Sequence, residues 1–112
     1  MTVKAVLANL SCIDLARSER WFALLFDRPP DARPMPGLAE WRMGDSAGFQ
    51  LHEEAERAGR GTLTLLVADV AAERERLIGV GVAAPEPEPG GGGRILRLRD
   101  PDGSLVVLAD AS

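Results

Sequence analysis

The sequence predicts an α+β fold built from two tandem copies of a β-α-β-β-β unit. Its 112 residues suit one domain, and a composition that is 46% apolar and 27% charged is globular. When the sequence is shifted by 55 residues it aligns with itself without a gap, so that Asp14 falls on Asp69 and Gly48 on Gly103. We therefore expect one domain over residues 1–112, with a first unit over about residues 1–56 and a second over about 57–112.

Each copy opens with a strand and a helix. Residues 3–10 and 62–67 are rich in aliphatic and β-branched side chains, which is typical of strands. Asp14 and Asp69 follow, and each carboxylate can cap the free amides of a helix that begins there. Apolar residues recur at helical spacing between positions 14 and 26, and more weakly between 70 and 78. Pro29 and Pro30 end the first predicted helix, and Gly79 and Gly81 end the second.

Each copy closes with a proline-rich segment and a hairpin. Residues 29–36 and 85–89 contain several prolines, so we expect only short edge strands there, and residues 90–93 are predicted to form a loop. The predicted hairpins turn at residues 45–48 and 100–103. Both turns are expected to be type I with a glycine bulge, at Gly48 and at Gly103.

Composition also excludes several classes of function. The net charge of −4 and the scattered arginines argue against nucleic-acid binding. No apolar run reaches the ~20 residues that a membrane helix needs, and the first residues lack a signal-peptide pattern. Cys12 is the single cysteine, so no internal disulfide is expected, and we interpret it as a small buried apolar residue. We expect a cytoplasmic protein without a membrane partner.

Two motifs resemble a known superfamily. The pattern D-L-x-x-S-x-x-W-F-x-x-L, which begins at Asp14, is similar to the first-helix signature of the vicinal oxygen chelate proteins. The run D-P-D-G-S, at residues 100–104, resembles the turn before their last strand. That superfamily includes glyoxalase I, extradiol dioxygenases and bleomycin-resistance proteins. The resemblance implies that the paired units curl into a cup-shaped, open barrel-like mixed sheet, with the helices outside and a ligand or metal inside.

The resemblance also implies where a metal would lie, on the first and last strands of each unit. The corresponding positions hold Leu7, His52, Thr62 and Val107. Only His52 is a good ligand, and Gln50, two residues earlier, adds at most a second donor, whereas catalytic metal sites use about three. We therefore expect no metal and no cofactor.

The alternation of side chains in strands predicts what lines the cup instead. If both hairpins have the bulged register, Arg42 lies opposite His52 and Arg97 opposite Val107. A slip of one residue would replace the two arginines by Trp41 or Met43 and by Leu96 or Leu98. The apolar floor would consist of Leu7, Leu105 and Val107. The predicted ligand-binding residues are Asn9, Arg42, Gln50, His52, Thr62, Thr64 and Arg97.

Three functions fit these expectations. The first is a metal-free protein that sequesters a small polar or anionic molecule, as in antibiotic resistance of the bleomycin type. The second is a glyoxalase- or dioxygenase-like enzyme with an atypical metal site around His52, or a metal-independent isomerase or lyase that uses His52 as its base. The third is an interaction domain whose cup is filled by its own side chains. A homodimer is expected in each case, because two-fold dimers are the commonest assembly of small soluble domains.

Overall fold

The computed structural model describes residues 1–111, which form two α-helices and two four-stranded mixed sheets. The first unit contains β1 (Val6–Cys12), α1 (Leu15–Phe26), β2 (Ala32–Met35), β3 (Leu38–Met43) and β4 (Ala47–Glu53). The second contains β5 (Thr62–Leu66), α2 (Val70–Gly79), β6 (Glu88–Gly90), β7 (Gly93–Arg99) and β8 (Leu105–Ala109). A short 3₁₀ helix, Ala55–Arg57, lies between them. The predicted pair of βαβββ units is thus confirmed, and the sheets do not close into a barrel.

The two sheets have the same strand order. They run β1-β4-β3-β2 and β5-β8-β7-β6, and in each sheet only the first pair of strands is parallel. The proline-rich segments form the short outer strands β2 and β6, as predicted. Proline has no amide hydrogen to donate, so it suits a strand that has a neighbour on one side only. The predicted loop between β6 and β7 is a two-residue turn in which Gly91 has φ 58° and Gly92 has φ 83°. Positive φ at both central positions is what a type I′ turn requires, and glycine adopts it without strain.

Both helices begin and end where the sequence predicts. The Asp14 carboxylate accepts from the Arg17 amide at 3.2 Å, and the Asp69 carboxylate accepts from the Ala72 amide at 3.1 Å. The first helix ends at Asp27, whose φ of 57° is left-handed, just before the two prolines. The second ends at Gly79, and Gly81 follows with φ 86°.

One hydrophobic core serves both units. In the first unit Phe22, Trp41 and Phe49 are fully buried, with ring centroids 4.8–6.3 Å apart. The core continues into the second unit through aliphatic residues such as Leu77 and Leu96, which are also fully buried. Trp41 therefore packs in the core against α1, and it is not available to stack on a ligand.

Two sets of polar contacts join the units. In the turn between β7 and β8, the Asp102 carboxylate accepts from the Ile13 amide at 3.0 Å and from the Ser18 hydroxyl at 3.4 Å, and it forms an ion pair with Arg17. On the helical side, Arg76 of α2 donates to the carbonyl oxygens of residues 24 and 25, at 2.8 and 2.6 Å. These carbonyls lie in the last turn of α1, where helix geometry leaves acceptors free.

The predicted register of the first hairpin is wrong. Its turn is shorter than expected, because Gly44 adopts φ 70° and lets Met43 pair directly with Ala47. Arg42 therefore lies opposite Gly48, and His52 lies opposite Leu38. Gly48 is a strand residue and not the bulge glycine. A Cβ there would lie 2.7 Å from the Leu7 Cδ2 atom, so this position needs glycine for space.

The second hairpin has the predicted register. Gly103 has φ 95° and its amide donates to the Asp100 carbonyl at 3.0 Å, which closes the expected bulged turn. Arg97 accordingly lies opposite Val107.

Candidate functional site

Each sheet has one face that packs on the core and one that does not. In the first sheet Leu10, Trp41, Phe49 and Leu51 point into the core, so the alternating residues between them lie on the other face. The ladders place Asn9 beside Gln50, and Gln50 beside Glu40. We call the two faces away from the core the cup faces. They comprise Leu7, Asn9, Ser11, Leu38, Glu40, Arg42, Gln50 and His52 in the first sheet, and Thr62, Thr64, Leu66, Ile95, Arg97, Leu105 and Val107 in the second.

On the first cup face Gln50 and Arg42 form a hydrogen-bond network with Glu40. This carboxylate is only 8% exposed. One of its oxygens accepts from the Gln50 amide at 2.9 Å, and the other accepts from the Arg42 Nε atom at 3.3 Å. The negative charge of Glu40 therefore offsets Arg42, whose own side chain is 64% exposed.

On the second cup face Arg97 is paired in the same way. Its Nε atom donates to a Glu88 carboxylate oxygen at 2.6 Å, and both side chains are about half exposed. Thr62 and Thr64 are exposed and lie beside Leu105 and Val107 on the neighbouring strand. This face is mainly aliphatic, with hydroxyl groups along its outer strand.

All seven predicted binding residues lie on the cup faces, but within the chain they form two separate groups. Asn9, Arg42, Gln50 and His52 belong to the first sheet, and the two threonines and Arg97 belong to the second. Across residues 1–111, no hydrogen bond or ion pair joins the two groups. One chain therefore presents two separate groups of these residues, each positioned by its own sheet.

The residues at the implied metal positions do not fit a metal ion. Leu7 pairs with Gly48, whereas His52 pairs with Ser11. Leu7 and His52 are therefore separated by four residues along the strand direction of the first sheet. The His52 Nδ1 atom is 3.7 Å from a Glu54 carboxylate oxygen. In the part of the chain that the structure describes, no group of three or more His, Cys, Asp or Glu side chains could hold a metal ion.

A relocated metal site near His52 would require Glu40, and Glu40 is already engaged. One Glu40 oxygen accepts a hydrogen bond from Gln50 and the other accepts one from Arg42. Gln50 would also have to serve as the third ligand of the metal. Binding a cation there would break this network, which is buried and therefore costly to leave unsatisfied.

The buried cysteine is not a nucleophile at neutral pH. Burial, and then the negative charge of Asp102, raise the pKa of the Cys12 thiol to about 11. The thiolate is the reactive form of cysteine, so Cys12 is inert in the folded chain. This confirms its interpretation as a core residue, since it is 0% exposed.

Several cup-face residues were missed by the sequence argument. Ser11 and Leu66 could have been found, because each lies two residues beyond a predicted site residue on the same strand face. Glu88 could not, because it is a neighbour of Arg97 only through the pairing of β6 with β7.

The sequence and the fold both resemble known proteins. A family model described as a glyoxalase-like domain matches residues 5–109. A glyoxalase/bleomycin resistance protein from Catenulispora acidiphila DSM 44928 is 25% identical, with a TM-score of 0.89 over 97% of this chain and 99% of its own. TnmS3, an antibiotic binding protein from Streptomyces sp. CB03234, is 23% identical, with a TM-score of 0.81 over 96% and 95% of the two chains.

A bleomycin-binding protein that was crystallised with bleomycin is 22% identical, with a TM-score of 0.78 over 99% of this chain and 100% of its own. Lactoylglutathione lyase from Agrobacterium tumefaciens is 16% identical, with a TM-score of 0.75 over 94% and 91% of the two chains. At these identities the likeness is one of fold. No curated protein sequence matches this chain significantly. Neither helix within residues 1–111 has the length and apolar character needed to cross a membrane.

Proposed function

We propose that this chain, which belongs to the glyoxalase-like domain family, binds a small molecule on its cup faces without a metal ion. The observation that carries the proposal is the composition of those faces. Leu66 is 85% exposed and Leu7 is 44% exposed, next to Asn9, Thr62 and Thr64. In residues 1–111 these three polar side chains have no hydrogen-bond partner in the protein. Exposed apolar surface with a few free polar groups is the usual composition of a ligand site.

The kind of ligand is part of the proposal. Proteins of the same fold are described as binding bleomycin or as antibiotic binding. Cys12 is not a nucleophile at neutral pH, and the side chains at the implied metal positions do not fit a metal ion. The function that the site supports best is therefore sequestration of a small molecule. We propose a polar or anionic ligand and a role in resistance or storage, in the cytoplasm, with no cofactor.

We further propose that a homodimer completes the site. The two cup faces of one chain are open, and their exposed leucines would be shielded if the first cup face of one copy met the second cup face of another. Light scattering should then give twice the 12.0 kDa mass of the chain at micromolar concentration. A monomer that still binds ligand would remove the dimer from the proposal.

Binding is tested by a thermal-shift panel followed by calorimetry, with bleomycin and compounds of varied charge as probes. Thr64→Glu places a longer, negatively charged side chain on the second cup face, and Ala72→Glu adds the same charge to the exposed surface of α2. We expect a compound that stabilises the unmodified protein and Ala72→Glu but not Thr64→Glu. Binding that Thr64→Glu leaves unchanged would contradict the proposed location.

Elemental analysis of untagged protein, purified without chelator, tests the absence of metal. We expect less than stoichiometric zinc, nickel, manganese and iron. Stoichiometric metal that is lost in His52→Ala would overturn the metal-free proposal and support the enzyme alternative.

A further inference from the structure

A depression of about 300 Å³ lies along the edge of β1 that is not paired with β4. Its walls come from β1 and from the linker between β4 and β5. Asn9 and Ser11 contribute from the strand, and Glu56, Arg57 and Arg60 contribute from the linker. A space of this size suits one polar group of a small molecule.

The backbone on either side of Arg60 lies against other elements of the fold. Gly59 has φ 79°, and a Cβ there would lie 2.3 Å from the Asp102 carbonyl oxygen. On the other side, a Cβ at Gly61 would lie 2.3 Å from the Leu10 Cδ2 atom. Both neighbours of Arg60 are thus pressed against other elements, and the backbone that carries the guanidinium is positioned before any ligand arrives.

Arg60 is also an uncommitted cation. Arg42 and Arg97 are paired with Glu40 and Glu88, so they have little charge left to offer a ligand. Arg60, in contrast, makes no ion pair or hydrogen bond through its side chain within residues 1–111.

The remaining walls of the depression supply further polar groups. Arg57 is 77% exposed and shares its charge with Glu54, at 3.5 Å. Glu56 contributes the one carboxylate of the lining, so the donors available to an anion are those of Arg60 and of β1. Within the described residues, the side-chain amide of Asn9 and the hydroxyl of Ser11 form no hydrogen bond, so both are free to donate.

We propose that this depression binds the oxyanion group of the ligand, a carboxylate or a phosphate. The guanidinium of Arg60 provides two parallel donors, which match the two oxygens of either group. Asn9 and Ser11 complete the contacts from β1. The inference rests on the proposed function, because Asn9 belongs both to the first cup face and to this depression.

The test follows the ¹⁵N signals of the Arg60 Nε and Asn9 Nδ2 groups by NMR. Sodium phosphate and sodium acetate are added in separate arms, with sodium chloride keeping the ionic strength constant. We expect both signals to shift along one saturable curve in at least one arm. Arg60→Gln should weaken that binding at least about tenfold, the loss expected for a hydrogen bond to a charged group.

Arg20→Gln is the matched control, because Arg20 is exposed on α1 and unpaired in the described part of the chain. It should leave the curve unchanged. Shifts that never saturate, or that Arg60→Gln leaves intact, would overturn the inference. If a panel compound that carries a carboxylate or phosphate binds Arg60→Gln as tightly as the unmodified protein, the anion subsite is refuted and the proposed function stands. If phosphate saturates the Arg60 signal and no panel compound binds, the anion site is supported and the proposed function fails.

Discussion

Among single substitutions in the turns, Asp102→Ala should weaken the contact between the two units the most. The carboxylate is 1% exposed and reaches across from the β7–β8 turn to the start of α1. It accepts from the Ile13 amide at 3.0 Å and from the Ser18 hydroxyl at 3.4 Å, and it pairs with Arg17. The substitution removes the one acceptor that, among residues 1–111, these donors share.

The size of the effect can be worked from these contacts. A hydrogen bond to a charged group contributes about 1.5–3 kcal/mol, and the contact at 3.4 Å belongs at the weak end. The ion pair adds at most about 1 kcal/mol, because the Arg17 side chain is 46% exposed and screened by water. We expect Asp102→Ala to lower the free energy of unfolding by about 3 kcal/mol. Asp102→Asn keeps an acceptor and should lose about half of that.

Urea denaturation followed by circular dichroism measures this difference at constant m-value. Asp45→Ala is the control, because Asp45 lies exposed in the turn of the first hairpin and its side chain makes no hydrogen bond or ion pair within residues 1–111. A loss in Asp102→Ala as small as that in the control, below about 0.5 kcal/mol, would refute the claim that this contact joins the units.

Three further predictions concern single positions. Gly61→Ala should lower the free energy of unfolding by about 1–3 kcal/mol, because the added Cβ collides with Leu10. Gly79→Ala should instead raise the free energy of unfolding by about 0.4–1 kcal/mol, because the added Cβ meets no atom within 4 Å. Burial raises the pKa of Asp100 above 3.8, so its contribution to stability is present below that pH and is lost as the pH rises through the raised pKa. Relative to the unmodified protein, Asp100→Asn should therefore gain in unfolding free energy as the pH rises above about 4 and through the raised pKa. The Cys12 thiol, with its pKa of about 11, should react with a disulfide reagent at neutral pH only after unfolding by guanidinium.

Each of these has a clear contrary result. Equal stability of the two glycine variants would mean that the linker can move away from β1. A pH profile that Asp100→Asn leaves unchanged would mean that the carboxylate is already ionised at no cost. Rapid labelling of Cys12 in the folded protein would mean that β1 opens locally.

The sequence by itself determined the order and the ends of the elements. Helix caps such as Asp14 and Asp69 act on amides three residues away, so their effect is local and legible without a structure. The proline-rich segments became edge strands for an equally local reason, because proline lacks the amide hydrogen. The alternation of side chains placed Asn9 and Gln50 on one face, since a strand has a fixed period of two.

Only the tertiary structure decided the register of the first hairpin and the partners of the charged residues. Gly44 and Gly48 are both compatible with a turn, and only the folded chain shows that Gly44 takes the positive φ whereas Gly48 lies within β4. Arg97 meets Glu88 only because β6 folds back on β7. Contacts of this kind depend on distances between strands, which spacing along the chain does not encode. The proposed ligand site therefore depends on faces and edges that exist only after the sheets have formed.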